Sequence, residues 1–164
     1  MAASKIAVYP GSFDPPTKGH VDIIERACRV FDRVVVAISN NPSKKYTFSV
    51  AERLQMVQHA LRGLPNAKAD TFSGLLVDYL KKKRSRILIR GLRVVSDMDY
   101  EFQLASFNHR LSKDVETVFL MPDDQYTYIS SSMVREVARL GADTKPFVSP
   151  FVARKLRLKF GGKR

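Results

Sequence analysis

A single cysteine, Cys28, is all that the 164 residues contain. That excludes an internal disulfide and any CxxC zinc or redox motif, and leaves Cys28 as a small packed hydrophobe. No run approaches the ~18 consecutive apolar residues that a membrane span requires. Residues Met1 to Lys5 lead directly into a short apolar strand without a signal-peptide core, so the expectation is a cytoplasmic protein with no membrane partner. Internal repeats and low-complexity linkers are also missing. Two phosphate-binding fingerprints are absent as well: neither the GxxxxGK[ST] spacing nor GxGxxG occurs. No His/Cys cluster suits a transition metal, and no metal-ligating residue is assigned. Acid is scarce locally, because none follows residue 153, where Arg154, Lys155, Arg157, Lys159, Lys163 and Arg164 lie.

What remains is the composition of one globular domain over residues 1–164, with 45% apolar and 27% charged residues and length enough for a single core. The net charge of +12 raises the question of nucleic acid. Six of those charges belong to a basic helix and tail from about residue 150, leaving +6 on the body. A second run, Lys81-Lys82-Lys83-Arg84, falls where a helix should end, and cations there complement the helix dipole. Both runs read as solvated helix ends, with no nucleic-acid partner expected.

Short β-rich runs alternate with longer amphipathic segments, the pattern of an α/β domain: a single doubly wound, mostly parallel five-stranded sheet. The strand candidates are residues 6–9, 34–38, 67–72, 86–89 and 117–120. A first helix from about His20 to Phe31 carries Ile23, Ile24, Ala27, Val30 and Phe31 on one face. The next is marked by a Ser49-x-x-Glu52 capping box, a stripe of Val50, Leu54, Val57 and Leu61, and a stop at Gly63. Further helices are expected over 75–82, from about Ser96 through Leu104, Phe107 and Leu111, over 131–140 and over 150–158. In a sheet of this class ligands collect at the strand carboxyl ends beside the topological switch point. The loops after strands one and four, residues 10–20 and 90–93, are therefore the candidate site.

The first of these loops reads Pro10-Gly11-Ser12-Phe13-Asp14-Pro15-Pro16-Thr17-Lys18-Gly19-His20. It is rich in backbone N–H donors, adds the Ser12 hydroxyl, and delivers both to the positive end of a helix, where phosphate binds readily. His20 either donates to a phosphoryl oxygen or is held by the backbone at the helix start. Near the other end of the chain, Ile129-Ser130-Ser131-Ser132-Met133-Val134-Arg135 is a serine-rich helix start, which serves as an ordinary cap or as a cradle for phosphate. Arg90 and Arg93 flank Gly91, which lets backbone approach a ligand, and their guanidinium forks suit phosphate oxygens.

Taken together, the Thr17-x-Gly19-His20 stretch and the serine run resemble the two signatures of the HxGH-type nucleotidyltransferase superfamily. Pro42-Ser43-Lys44-Lys45, Ile89-Arg90-Gly91-Leu92-Arg93, Asp99-Tyr100-Glu101 and Phe119-Leu120-Met121-Pro122 are similar to its phosphopantetheine adenylyltransferase branch. That resemblance implies roles. Ser12 and Lys44 would hold the acceptor phosphate, Arg90 would help bind the pantetheine arm, and Leu76 would line its channel. Gly91, Leu92, Arg93 and Glu101 would bind ATP together with the segment Tyr126, Thr127, Tyr128, Ile129, Ser130, Ser131 and Ser132. Ser12, Phe13 and His20 would lie beside its phosphates. The stretch from Asp123 to Tyr128 is more acidic than the branch leads one to expect, and Ser12 stands where Thr is frequent.

The implied reaction is in-line attack by the phosphate of 4′-phosphopantetheine on the ATP α-phosphorus, giving dephospho-coenzyme A and pyrophosphate, with His20, Lys44 and Arg93 stabilising the developing charge. Mg²⁺ carried by ATP, feedback binding of coenzyme A and a homohexamer are implied as well. The alternatives are a sister enzyme acting on nicotinate mononucleotide or forming a CDP-alcohol, and a nucleic-acid module using the basic tail.

Overall fold

The computed structural model describes residues 4–161; Lys163 and Arg164 of the expected basic tail lie outside the described residues. The order along the chain is β1 (Ile6–Gly11), α1 (Lys18–Val30), β2 (Arg33–Ser39), α2 (Val50–Ala60), β3 (Ala67–Phe72), α3 (Leu76–Lys82), β4 (Ile87–Gly91), α4 (Val95–Leu111), β5 (Glu116–Leu120), a 3₁₀ turn (Asp124–Tyr126), α5 (Ser131–Arg139) and α6 (Pro150–Phe160). One sheet forms in the order β3-β2-β1-β4-β5, and all four pairings are parallel. The chain winds outward from β1 through β3, then crosses back to place β4 on the other side of β1. The switch point lies between β1 and β4, at the two strands whose loops carry the unusual residues.

Side-chain alternation along the strands divides the core between the sheet's two faces. Ala7, Tyr9, Val34, Val36, Ile38 and Ile89 meet Ile23, Ile24, Ala27 and Phe31 from the first helix and its end, with Val57 and Leu61. On the opposite face Val8, Ala37 and Leu88 pack against Tyr79 and Leu80 of α3. A third cluster joins Phe48 and Met56 to Val134, Val148, Val152 and Leu156, fastening the C-terminal helices beside α2. Each fully buried side chain of this size contributes roughly 1.5–3 kcal/mol by leaving water.

Several expectations need correction. β1 runs on through Pro10 and Gly11, which pair with Ala37 and Ile38, and β4 continues through Arg90 and Gly91, opposite Phe119 and Leu120. Ladder hydrogen bonding thus carries site residues that the sequence assigned to loops. α1 begins at Lys18, not His20, because the Thr17 side chain caps it and His20 closes the capping box as the third helical residue. Val30 is 61% exposed, so it is not on the buried face. In α2, Val50 and Leu54 are only half-buried while Arg53 and Met56 are fully enclosed. α4 buries no residue at all, and Phe107 and Leu111 face outward. The Lys81-to-Arg84 run does end α3, with Lys83 bridged to Asp70 at 2.5 Å.

Candidate active site at the switch-point crevice

The loop from Gly11 to Thr17 is held from three sides. At Gly11 a Cβ would lie 2.9 Å from the Phe13 ring, so only glycine fits there, and Phe13 itself takes a left-handed φ of 48°. The Asp14–Pro15 peptide is cis. The buried Asp14 carboxylate accepts from the backbone N–H groups of Thr47 at 2.8 Å and Phe48 at 2.9 Å. Arg135, the last residue of the serine motif, donates to the Asp14 carbonyl, and the Ser131 hydroxyl donates to the Pro15 carbonyl at 2.7 Å. The two signature motifs are thus bonded to each other across the mouth of the crevice.

His20 is fixed by its own helix start. Its Nδ1 accepts from the Thr17 N–H at 3.0 Å and lies 2.9 Å from the Thr17 hydroxyl. A nitrogen that accepts a backbone N–H carries no proton, so the neutral ring holds its hydrogen on Nε2, the nitrogen left free for a ligand. The backbone-held reading of His20 therefore holds at Nδ1. The Phe13 ring packs edge-on against the imidazole, with centroids 5.1 Å apart. Burial, reinforced by the nearby Arg93 guanidinium, lowers its pKa from 6.5 to about 4.

Across the switch point, Arg90 and Glu101 form a two-pronged pair at 2.5 and 2.7 Å. Arg93 donates through Nη1 to the Ile129 carbonyl at 3.1 Å and through Nε to Asp97 at 3.2 Å. These contacts tie β4, α4 and the serine segment together. The enclosed Tyr9 phenol stands behind Gly91, and burial raises its pKa despite the opposing pull of Arg90 and Arg93. On the serine side, the Ser130 hydroxyl accepts from the Met133 N–H at 3.2 Å. The N–H groups of Ser131 and Ser132, which precede any intrahelical partner, remain for a ligand.

These elements enclose a cleft of about 400 Å³, within the range of small-molecule sites. Of the sequence-predicted residues, His20, Arg90, Gly91, Arg93, Glu101 and Ile129 to Ser132 form its walls. Ser12, Phe13 and Leu92 are neighbours of wall residues, with Phe13 buried behind His20. Tyr126 lies beside Gly19, where an added Cβ would meet it at 3.5 Å, Thr127 continues that turn, and Tyr128 is 79% exposed. Lys44 lies exposed on the loop between β2 and α2, outside the cleft walls. Leu76 packs instead onto the Val8–Tyr79–Leu80 cluster. Tyr9, Thr17, Ile23, Asp97 and Pro122 also line the cleft, and no site role was assigned to any of them from sequence. Thr17 was the legible one, since a Thr three residues before a histidine at a helix start is a capping pattern.

Residues 8–137 match the family model described as cytidylyltransferase-like, which places the chain among the nucleotidyltransferases, an enzyme class. The fold agrees. The nicotinic acid mononucleotide adenylyltransferase of Plasmodium falciparum, solved in complex with NaAD, superposes with a TM-score of 0.71 at 16% identity, over 97% of each chain. Sequence relatives narrow the class. The chain is 55% identical to a phosphopantetheine adenylyltransferase of Dictyoglomus turgidum, covering 94% of this chain and 96% of that one. It is 50% identical to that of Geobacter sulfurreducens, covering 97% of both. The chain belongs to the phosphopantetheine adenylyltransferase family.

Proposed function

We propose that the crevice transfers AMP from ATP to 4′-phosphopantetheine, yielding dephospho-coenzyme A and pyrophosphate. The observation that carries this reading is the neutral His20, whose Nδ1 is occupied by Thr17 and whose Nε2–H is free at the cleft between the two bonded motifs. An acceptor phosphate oxygen forms a bond to the α-phosphorus as the bridge from that phosphorus to the β-phosphate breaks, and the electron pair leaves with pyrophosphate. His20 Nε2–H and the Arg93 guanidinium donate to the oxygens where charge accumulates, while the Ser131 and Ser132 amides receive the polyphosphate. No protein nucleophile is involved. Ser12 and the exposed Lys44 hold the acceptor phosphate.

Mg²⁺ fits as a companion of ATP. The cleft carboxylates Asp97 and Glu101 are each engaged by an arginine, and no group of three potential metal ligands occurs among the described residues. The ion would be held by phosphate and water and would neutralise triphosphate charge. Coenzyme A, which shares the product's two halves, would compete for the same cleft as a feedback ligand. The bare α4 supports a homo-oligomer, a hexamer by family likeness. No helix among the described residues is long and apolar enough to cross a membrane, which is consistent with work in the cytoplasm.

The test is pyrophosphate release from ATP and Mg²⁺ with 4′-phosphopantetheine, beside nicotinate mononucleotide and glycerol phosphate. Release with the first alone is the expected result. Turnover with a rival acceptor would keep the chemistry and refute the acceptor.

A further inference from the structure

Arg53 is fully buried, yet among the described residues no carboxylate lies within ion-pair distance of it. Enclosing a guanidinium costs free energy unless its donors are satisfied, and here three carbonyls take three of its five N–H donors. Nη1 donates to Ser12 O at 2.7 Å and Ser39 O at 2.9 Å, and Nε donates to Phe48 O at 3.2 Å. Those acceptors belong to three separate segments: the loop after β1, the end of β2, and the approach to α2. The guanidinium also stacks on the Tyr46 ring at 3.8 Å, and the Tyr46 hydroxyl accepts from the Asn41 N–H at 3.2 Å. The Asn40-to-Phe48 segment, which carries Lys44, is thereby gripped at both ends and in the middle. The same group grips the backbone of Ser12.

We infer that Arg53 is the positioning residue of the acceptor-phosphate subsite, setting the placement of the Ser12 loop relative to the Lys44 loop without touching substrate. The inference rests on reading Ser12 and Lys44 as the acceptor-phosphate ligands. A lysine has one point of charge on a flexible stem and cannot span three carbonyls while stacking on an aromatic ring.

Arg53→Lys tests it. The KM for 4′-phosphopantetheine should rise about tenfold or more, the scale of a lost charge-assisted hydrogen bond, while the KM for ATP stays within about twofold. The Thr47 and Phe48 amides should exchange hydrogen faster. A variant in which both KM values rise together, or neither moves, would reduce Arg53 to a structural cation and overturn the inference. Should Arg53→Lys fail to fold, Tyr46→Phe removes only the hydroxyl. It should raise the acceptor KM about threefold, and an unchanged KM would count against the clasp. If the unaltered protein does not turn over 4′-phosphopantetheine, the functional reading fails instead. Exchange at Thr47 and Phe48 in Arg53→Lys then decides alone: acceleration supports the clasp and unchanged exchange refutes it.

Discussion

Burial and the Arg93 charge keep the His20 imidazole neutral down to about pH 4, and the Thr17 N–H on Nδ1 leaves its proton on Nε2. A neutral donor of this kind stabilises a developing phosphoryl charge without itself needing to titrate near neutrality. Replacing it in His20→Ala should lower kcat roughly 10²–10³-fold with the fold intact by circular dichroism; unchanged turnover would remove it from the mechanism. The same depressed pKa has a stability consequence. The unfolded imidazole takes its proton near 6.5 and the folded one only near 4. His20 therefore costs the fold nothing above pH 6.5, and stability falls as pH drops from there toward 4, by about 3 kcal/mol at full extent. Urea unfolding from about pH 7 to about pH 4 should show a shallower loss in His20→Asn than in the unaltered chain. At this scale the histidine was legible because a cap and the third helical residue have a fixed separation. Arg53 was not, since an arginine between Glu52 and Leu54 at a helix start has the look of a solvated charge until carbonyls from three separate segments close around it.

At the level of elements, α5 does two things with one run of serines. Ser130 caps the helix, and Ser131 bonds the β1 loop, while the first amides have no intrahelical partner. Ser130→Ala should cost about 1 kcal/mol of stability through the lost cap and should raise the KM for ATP more than that for the acceptor; an unchanged ATP KM would make the run a cap and nothing more. Strand and helix succession followed from periodicity, and β3 coincides with its candidate residues 67–72 although that run is a weak strand signal. The ends of β1 and β4 were missed. Pro10 and Gly11 read as turn formers, and only parallel pairing with β2 keeps them extended. Lys44 and Leu76, taken from the family likeness, sit apart from the cleft walls, so their placement depends on tertiary geometry that no local pattern encodes.

For the molecule as a whole, α4 stands out as a helix of 17 residues with none buried, carrying Val95 at 82%, Tyr100 at 63% and Phe107 at 63% exposure. Apolar surface of this kind marks an interaction face, and a second copy of the chain is the expected occupant. Sedimentation should show a species several times the 18.6 kDa chain mass, and Phe107→Glu should shift it toward smaller species. A monomer at micromolar concentration would refute self-association. The crevice is built within one chain, so this outcome leaves the site chemistry standing.

The most direct test of the central claim follows the bridging oxygen. With 4′-phosphopantetheine labelled by ¹⁸O in its phosphate, direct attack on the α-phosphorus predicts ³¹P signals in which both phosphorus atoms of the product's new diphosphate are bonded to label, while the released pyrophosphate carries none. Label in the pyrophosphate, or no labelled diphosphate product at all, would contradict transfer of AMP to the acceptor phosphate.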